Sequence, residues 1–473
     1  MRVAVLSAEA VPYSKTGGLG DVAGALPKAL RGVGVDAFLV TPCYWQTKGE
    51  DLWHTAIDDL RVDWRGHSIQ AKAFYSEANG SPTFLIDAPE FFHRDSIYGY
   101  REDYERFAFF NHAALALIKR IGNAPDIVHL NDWHCGFAAV EIAHLRYWDR
   151  FWTNTRTVFS VHNMAYQGGF GMEELWKFGF TSDFERNAFS FNGYASAMKA
   201  GLVSSDMLST VSTRYGYEIQ GVQEGYGLDW LTRSRSNRLI GITNGVDYEV
   251  WSPELDTEIP ANYSAHDLSG KVECKRQLLE QFGLPQDLER PIFASVTRLT
   301  AQKGIDLMMQ VAGEILATGS FIISLGSGEK KYEEFWQRLQ NYAPNQVGAF
   351  RGYNESLAHK IEAGADIFMM PSKFEPCGLN QMYSLKYGTI PIVHAVGGLD
   401  DTIQNFDAVS GTGNGFKFNE YQADKFLEKI YEALFAYHDK DAWRKLQWNG
   451  MNEDHSWENA ARKYVQLYQM TKG

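Results

Sequence analysis

The stretch YSKTGGLGDV, Tyr13–Val22, places a lysine, three glycines and an aspartate where a first apolar run, RVAVLSA, gives way to a helical pattern. Glycines 17, 18 and 20 let backbone N–H groups approach a ligand, the helix offers its positive end, and Lys15 adds a mobile charge. That set suits a phosphate. It is not a P-loop, because the lysine precedes the glycines, and GxGxxG is missing. A plain strand-to-helix turn is the other reading. In HLNDWHCG, Asp132 stands between His129 and His134, at a spacing that matches neither HExxH nor CxxC. A buried aspartate that orients a hydroxyl or a side chain is expected there, and no metal. SVHNMAYQGG sets His162 and Asn163 after another apolar run.

The second half supplies more cations. SVTRLTAQKG carries Arg298 and, five residues on, Lys303. A bidentate guanidinium and a point charge suit a diphosphate, with two surface charges as the alternative. In MMPSKFEPCGLNQMYSLKYG, Glu375 precedes Cys377 and Gly378, which lead into a helix. The N–H groups of Gly378 and Leu379 would face an anion. A carboxylate beside an anion fits a ligand with an uncharged, hydroxyl-bearing part such as a sugar. Cys377 also reads as a nucleophile acidified by the helix start, although the sequence pairs no histidine with it.

These groups need strand ends to hold them. RVAVLSA, DAFLVTP, TFLID, DIVHL and TVFSVH read as strands, and LGDVAGALPKALRGVG as a helix that Pro27 should kink or shorten. YERFAFFNHAALALIKRIG reads as a helix capped by Gly122. After ITNGVD comes turn-rich VWSPELDTEIPANYSAHDLSG, read as a hinge or linker. Alternation restarts with PIFASVTRL, FIISLGSG, VGAFRGY, DIFMMPS and TIPIVHA. The pattern predicts an α/β protein of two doubly wound domains with parallel sheets, facing each other across a cleft, with ligands beyond the carboxyl ends of the strands. The tail WENAARKYVQLYQM is an amphipathic helix whose partner the periodicity leaves open.

Composition sets bounds. The 473 residues suit two domains, and the formal charge of -13 argues against non-specific DNA or RNA binding. No signal peptide or membrane-length apolar run is visible, and the four cysteines (Cys43, Cys135, Cys274, Cys377) are scattered. A reducing cytoplasm is expected. The 14% aromatic content belongs to a large core or, in part, to a carbohydrate site.

KTGGLGDVAGALP, NDWH, VHNMAYQG, EGYGLDWLTRSR, ITNGVD, TRLTAQKGIDL and PSKFEPCGLNQMYSLKYGTIPIVHAVGGLDDTI run in order from about residue 9 to residue 403. Together they resemble the bacterial glycogen synthase and plant starch synthase family, retaining glycosyltransferases of the GT-B fold. The resemblance implies two Rossmann-like domains, 1–247 on the acceptor side and 248–455 on the donor side, with a helix 456–473 returning to the first. It implies glucose transfer from ADP-glucose to the non-reducing end of an α-1,4-glucan, with retention and without a metal or other cofactor. Partners would be ADP-glucose or ADP and glycogen or maltooligosaccharides, not nucleic acid or membrane.

By the same resemblance, Lys15, Gly18, Arg298, Lys303, Cys377, Gly378 and Leu379 would hold the donor phosphates. Glu375, His162, Asp132 and Asn244 would hold the transferred sugar, Tyr353 would stack on the base, and Asp21, Tyr98 and Tyr166 would serve the acceptor. The catalytic set would be Glu375, Arg298, Lys303, Lys15, His162 and Asp132. Asn380 stands where the family commonly has Thr, and His394 where it commonly has Arg. Tyr383 occupies a position where many other retaining GT-B enzymes have a second Glu, which argues against a sucrose- or trehalose-type transferase. A retaining enzyme using UDP-glucose or another acceptor is the alternative, as is a non-catalytic glucan-binding protein. Donor competition separates the first, and a glucan pull-down without transfer would support the second.

Overall fold

A computed structural model describes residues 1–47 and 52–473. The chain divides into two compact units, Met1–Gly245 with Trp457–Gly473, and Val246–Ser456. Among the described residues, no helix is long and apolar enough to cross a membrane.

The first unit is built on a nine-stranded sheet. Its strands in chain order are β1 (Arg2–Leu6), β2 (Asp36–Pro42), β3 (Trp53–Trp64), β4 (His67–Ser76), β5 (Thr83–Asp87), β6 (Ile127–Asn131) and β7 (Arg156–Val161). A small separate sheet follows, made of β8 (Gly169–Phe170), β9 (Ser190–Phe191) and β10 (Tyr194–Ser196), before β11 (Met207–Thr210) and β12 (Leu239–Gly241) rejoin the main one. The main order is β12-β11-β7-β6-β1-β2-β5-β4-β3. The core strands β1, β2, β5, β6 and β7 pair in parallel, where the apolar runs predict them.

The sheet is not parallel throughout. β3 and β4 form a hairpin that adds antiparallel to β5. Its tight turn, Arg65–Gly66, has φ of 53° and 74°. Two positive φ values match the twist of a two-residue hairpin. The sequence analysis reads no strands around WRGH, so this hairpin adds to the parallel sheet it expects.

The helix Gly18–Gly32 buries Leu19, Val22, Ala23, Leu26 and Leu30 and passes through Pro27 without ending. The missing hydrogen bond and ring clash cost ~3 kcal/mol. Each large apolar side chain on the buried face returns ~1.5–3 kcal/mol, so packing wins. The helix Asp103–Ile121 ends at Gly122, with φ 76°, as expected. The terminal helix Trp457–Lys472 packs on the first helix, with Trp457, Ala461, Tyr464 and Tyr468 in the same core as Val3, Val5, Leu26 and Leu30. His129 secures it from β6, with Nδ1 2.8 Å from the Tyr468 hydroxyl.

The second unit has a wholly parallel sheet of β13 (Ile292–Val296), β14 (Phe321–Gly326), β15 (Val347–Arg351), β16 (Ile367–Met370), β17 (Ile390–His394) and β18 (Phe416–Phe418), in the order β15-β14-β13-β16-β17-β18. Both faces are buried. Phe293, Ile322, Ile367 and Ile392 enter one core, and their neighbours Ile292, Ile323 and Phe368 enter another. That two-sided burial is why these strands read as continuous apolar runs. The turn-rich stretch after Gly245 is not an open linker. Its Ser252, Asp256, Ile259 and Tyr263 are buried, and the Tyr263 hydroxyl donates to the carbonyl of Tyr387 at 2.8 Å. Its irregular backbone is held by its own turns, such as Asp256 N–H to the Ser252 carbonyl at 2.9 Å, and by Asn262 Nδ2, which donates to the carbonyls of Pro253 and Asp256 at 3.0 and 2.8 Å.

Candidate active site

In parallel sheets, ligands meet the carboxyl ends of strands where the strand order reverses. In the first unit that point is between β1 and β6: the chain runs outward from β1 to β2, then resumes on the other side at β6 and β7. The Lys15 turn follows β1, Asp132 follows β6 and His162 follows β7, so three of the predicted groups stand at neighbouring strand ends.

The turn after β1 is clamped by Glu9. This buried carboxylate accepts the Thr16 N–H at 2.5 Å and the Thr16 hydroxyl at 2.8 Å. Burial pushes its carboxyl up to about 6 even though the Thr16 hydrogen bonds oppose the shift. Sequence reasoning missed Glu9, although a lone acid inside apolar SAEAVP was the signal. The exposed Lys15 ammonium lies 2.7 Å from the Asp21 carboxylate, so residues expected to serve different substrates are tied together. Among the described residues, no atom outside Gly18's chain neighbours and its own helix backbone lies within 4 Å of where a Cβ would be, so packing does not demand glycine there.

Asp132 is buried and strained. Its φ of 60° and ψ of 179° fall in a region that is essentially glycine-only. Its Oδ1 accepts the His162 N–H at 3.4 Å, and burial nevertheless pushes its carboxyl up to about 7. His162 is fixed by Asn131, a residue not predicted. The Asn131 Nδ2 donates to the carbonyl of Leu6 at 3.0 Å, so its Oδ1 faces His162 Nε2, 3.0 Å away. Nε2 must then carry the proton, and Nδ1 keeps its lone pair. Burial pushes the ring down to about 4, so it is neutral at pH 7.

Among the other predicted residues of this unit, Tyr98 stacks on His134, with centroids 4.9 Å apart, and its buried hydroxyl has no hydrogen-bond partner among the described residues. Burial drives the His134 ring down to about 3. Tyr166 is exposed, and Asn244 is buried with its Oδ1 unpartnered among the described residues. Phe91 and Phe109 stack in the core at 3.9 Å, while Trp45, Tyr147 and Trp148 are exposed.

In the second unit the order reverses between β13 and β16. Arg298 is exposed just beyond β13, and Lys303 ends the short turn that follows. Beyond β16 runs the Pro371–Leu379 loop. Two glycines wedge it in place. A Cβ on Gly304, at φ 72°, would lie 1.9 Å from the Pro371 carbonyl oxygen; one on Gly397, at φ 45°, would lie 1.9 Å from that of Glu375. This close packing brings Lys303 Nζ into a short ion pair with Glu375 Oε2, which also accepts from the Ser372 hydroxyl at 3.2 Å. Sequence reasoning assigns these two residues separate tasks; the structure makes them one unit.

Gly378, at φ 71°, and Leu379 lead into the helix Asn380–Lys386. Tyr353 presents an exposed ring, with its hydroxyl 3.0 Å from Glu355. The unusual Asn380 and His394 are engaged within this unit: Asn380 Nδ2 donates to the Val296 carbonyl at 2.9 Å, and His394 Nδ1 lies 2.8 Å from that of Ser372. Cys377 is buried, which disfavours the nucleophile reading. Cys377→Ser should therefore keep at least about half of the wild-type turnover, the substitution changing one buried atom. Loss of turnover with an intact fold would restore the thiol to the chemistry.

Arrangements of this kind occur in known proteins. Residues 2–234 match the family model for the starch synthase catalytic domain, and residues 278–447 match that for glycosyl transferases group 1. The chain is 42% identical to a glycogen synthase of Koribacter versatilis, covering 100% of this chain and 98% of that one. It is 41% identical to one of Clostridium beijerinckii, covering 100% of both. The solved catalytic domain of starch synthase IV from Arabidopsis thaliana, bound to ADP and acarbose, superposes with a TM-score of 0.90 at 31% identity, over 100% of this chain and 99% of that one. A sucrose-phosphate synthase from Thermosynechococcus elongatus shares the fold, at a TM-score of 0.61 and 17% identity, over 99% of this chain and 98% of that one.

Proposed function

Since the chain belongs to the glycogen and starch synthase family of glycosyltransferases, we propose that it transfers glucose from ADP-glucose to the non-reducing end of an α-1,4-glucan, with retention and without a divalent metal. The observation that carries this reading is the Lys303–Glu375 pair at the switch point of the second sheet, where the exposed Arg298 follows β13. Breaking a glycosyl–phosphate bond puts charge on the departing diphosphate. Arg298, Lys303 and the N–H groups of Gly378 and Leu379 would stabilise that charge, with Lys15 and Gly18 adding to it. Open space at Gly18 suits a phosphate that approaches the backbone. Glu375 would hold sugar hydroxyls and Tyr353 the base.

The acceptor hydroxyl would attack on the same face from which the diphosphate leaves, passing its proton to the departing oxygen. A double displacement needs a free, ionised carboxylate opposite the sugar. Glu375 is already engaged by Lys303 and Ser372. Asp132 titrates at about 7, so near neutral pH much of it is protonated. Both facts support the same-face route. His162, neutral at pH 7, would offer hydrogen bonds and not charge. Asp132 and Asn244 would complete the sugar site, with Asp21, Tyr98 and Tyr166 on the acceptor. The four cysteines are buried and none forms a disulfide among the described residues, which suits a reducing cytoplasm.

The test is transfer onto glycogen from ADP-glucose and UDP-glucose, side by side, with EDTA present. Preference for ADP-glucose with full activity in EDTA is expected. Activity abolished by EDTA and restored by magnesium would overturn the metal-free diphosphate site. Preference for UDP-glucose would overturn the donor assignment and leave the reaction class standing.

A further inference from the structure

The irregular segment after Gly245 carries an aromatic sandwich. The Trp251 indole stacks on His359, with centroids 3.7 Å apart and planes 16° apart, and on Tyr383, at 4.1 Å and 1°. Two rings parallel to the indole at these distances cannot share one face without overlapping, so they cover opposite faces. His359 belongs to the helix Glu355–Gly364 and is buried. Its Nδ1 lies 2.7 Å from Asp256 Oδ2, and the same carboxylate takes a short hydrogen bond from the Tyr387 hydroxyl. The segment 251–256 therefore grips the helix Asn380–Lys386 twice, at Tyr383 within it and at Tyr387 just beyond it.

That helix ends the loop carrying Glu375. Tyr383 N–H donates to the Leu379 carbonyl at 3.0 Å, one hydrogen bond from the last residue of the loop. Opposite, Gly304 and Gly397 leave the loop no slack. We propose that Trp251 is a positioning residue for the donor: through Tyr383 it fixes the short helix, and with it the Glu375–Leu379 loop and its Lys303 pair. This rests on the donor reading above. It also explains the tyrosine eight residues after Glu375, since a carboxylate there has no flat face to offer the indole.

The test uses the full chain and ADP binding by calorimetry, with melting curves and ADP-glucose kinetics alongside. Trp251→Ala should weaken ADP binding and raise KM for ADP-glucose about tenfold, the scale of one lost aromatic stack. KM for glycogen should not move. Trp251→Phe, which keeps a ring on Tyr383, should stay within about twofold of wild type. Tyr383→Leu keeps the Trp251–His359 stack and frees only the helix. It should reproduce the loss, and it carries the test if Trp251→Ala does not fold. A purely structural role lowers the melting temperature and leaves ADP affinity unchanged, and that result in both variants overturns the inference alone. Failure of the wild-type chain to bind ADP overturns the donor reading, and this inference with it.

Discussion

Lys303→Ala will lower turnover with ADP-glucose by roughly 10²–10³-fold, the usual loss for one preorganised donor at a site of developing charge. Arg298→Ala will lower it by a similar factor, but the two variants will differ in stability. Arg298 is exposed, so its removal leaves nothing buried and uncompensated. Lys303 and Glu375 are largely shielded, with 18% and 10% of their side-chain surfaces exposed. Taking the lysine away strands a carboxylate in a loop that Gly304 and Gly397 hold tightly. Removing one partner of a buried pair costs ~3–5 kcal/mol, and the residual exposure puts this pair at or below the low end. Steady-state kinetics and thermal melts on both variants check this. Equal melting temperatures would show that Glu375 finds another partner, and near-normal turnover in either variant would contradict the cation assignment.

Substitution of Asp132 will separate activity from stability. Asp132→Ala, →Asn and →Gly should each lose activity by orders of magnitude, since none offers a carboxyl to the sugar. Their stabilities should rank by backbone strain. The φ of 60° and ψ of 179° suit glycine alone. Asp132→Gly should therefore be more stable than Asp132→Ala by ~1–3 kcal/mol. The pH dependence follows from burial. The folded-state carboxyl titrates at about 7 and the unfolded one near 3.8, so between these pH values the folded chain holds the extra proton. Stability from this group is present below about 4 and is lost as pH rises towards 7. Asn cannot ionise, so the melting temperature of Asp132→Asn relative to wild type should rise across that window. A constant offset would mean that Asp132 is ionised throughout.

Some of this molecule was legible locally. The core strands, the first helix and the groups after β1, β6, β7, β13 and β16 follow from apolar periodicity and from polar residues placed just beyond apolar runs. The reading failed where two local signals competed. Pro27 argued for a break that packing overrode, and the hairpin β3–β4 was hidden by helix–strand alternation on both sides. The segment after Gly245 had the composition of a linker because its backbone is irregular, and composition does not report that its own turns and the Asn262 side chain satisfy it.

What the sequence determined by itself is the inventory: cations, carboxylates and glycines at turns, each set by residue type and short-range spacing. Tertiary structure alone decided how they pair. Lys303 meets Glu375 across 72 residues because β13 and β16 are neighbours, and strand order is a property of the whole sheet. His162 owes its tautomer to Asn131, 31 residues away, for the same reason. The strain at Asp132 and the shifts of Glu9, Asp132 and His162 come from burial, which depends on what the rest of the chain packs over them. Spacing names the groups, but only the packed fold sets their dielectric surroundings, their hydrogen-bond partners and hence their charge.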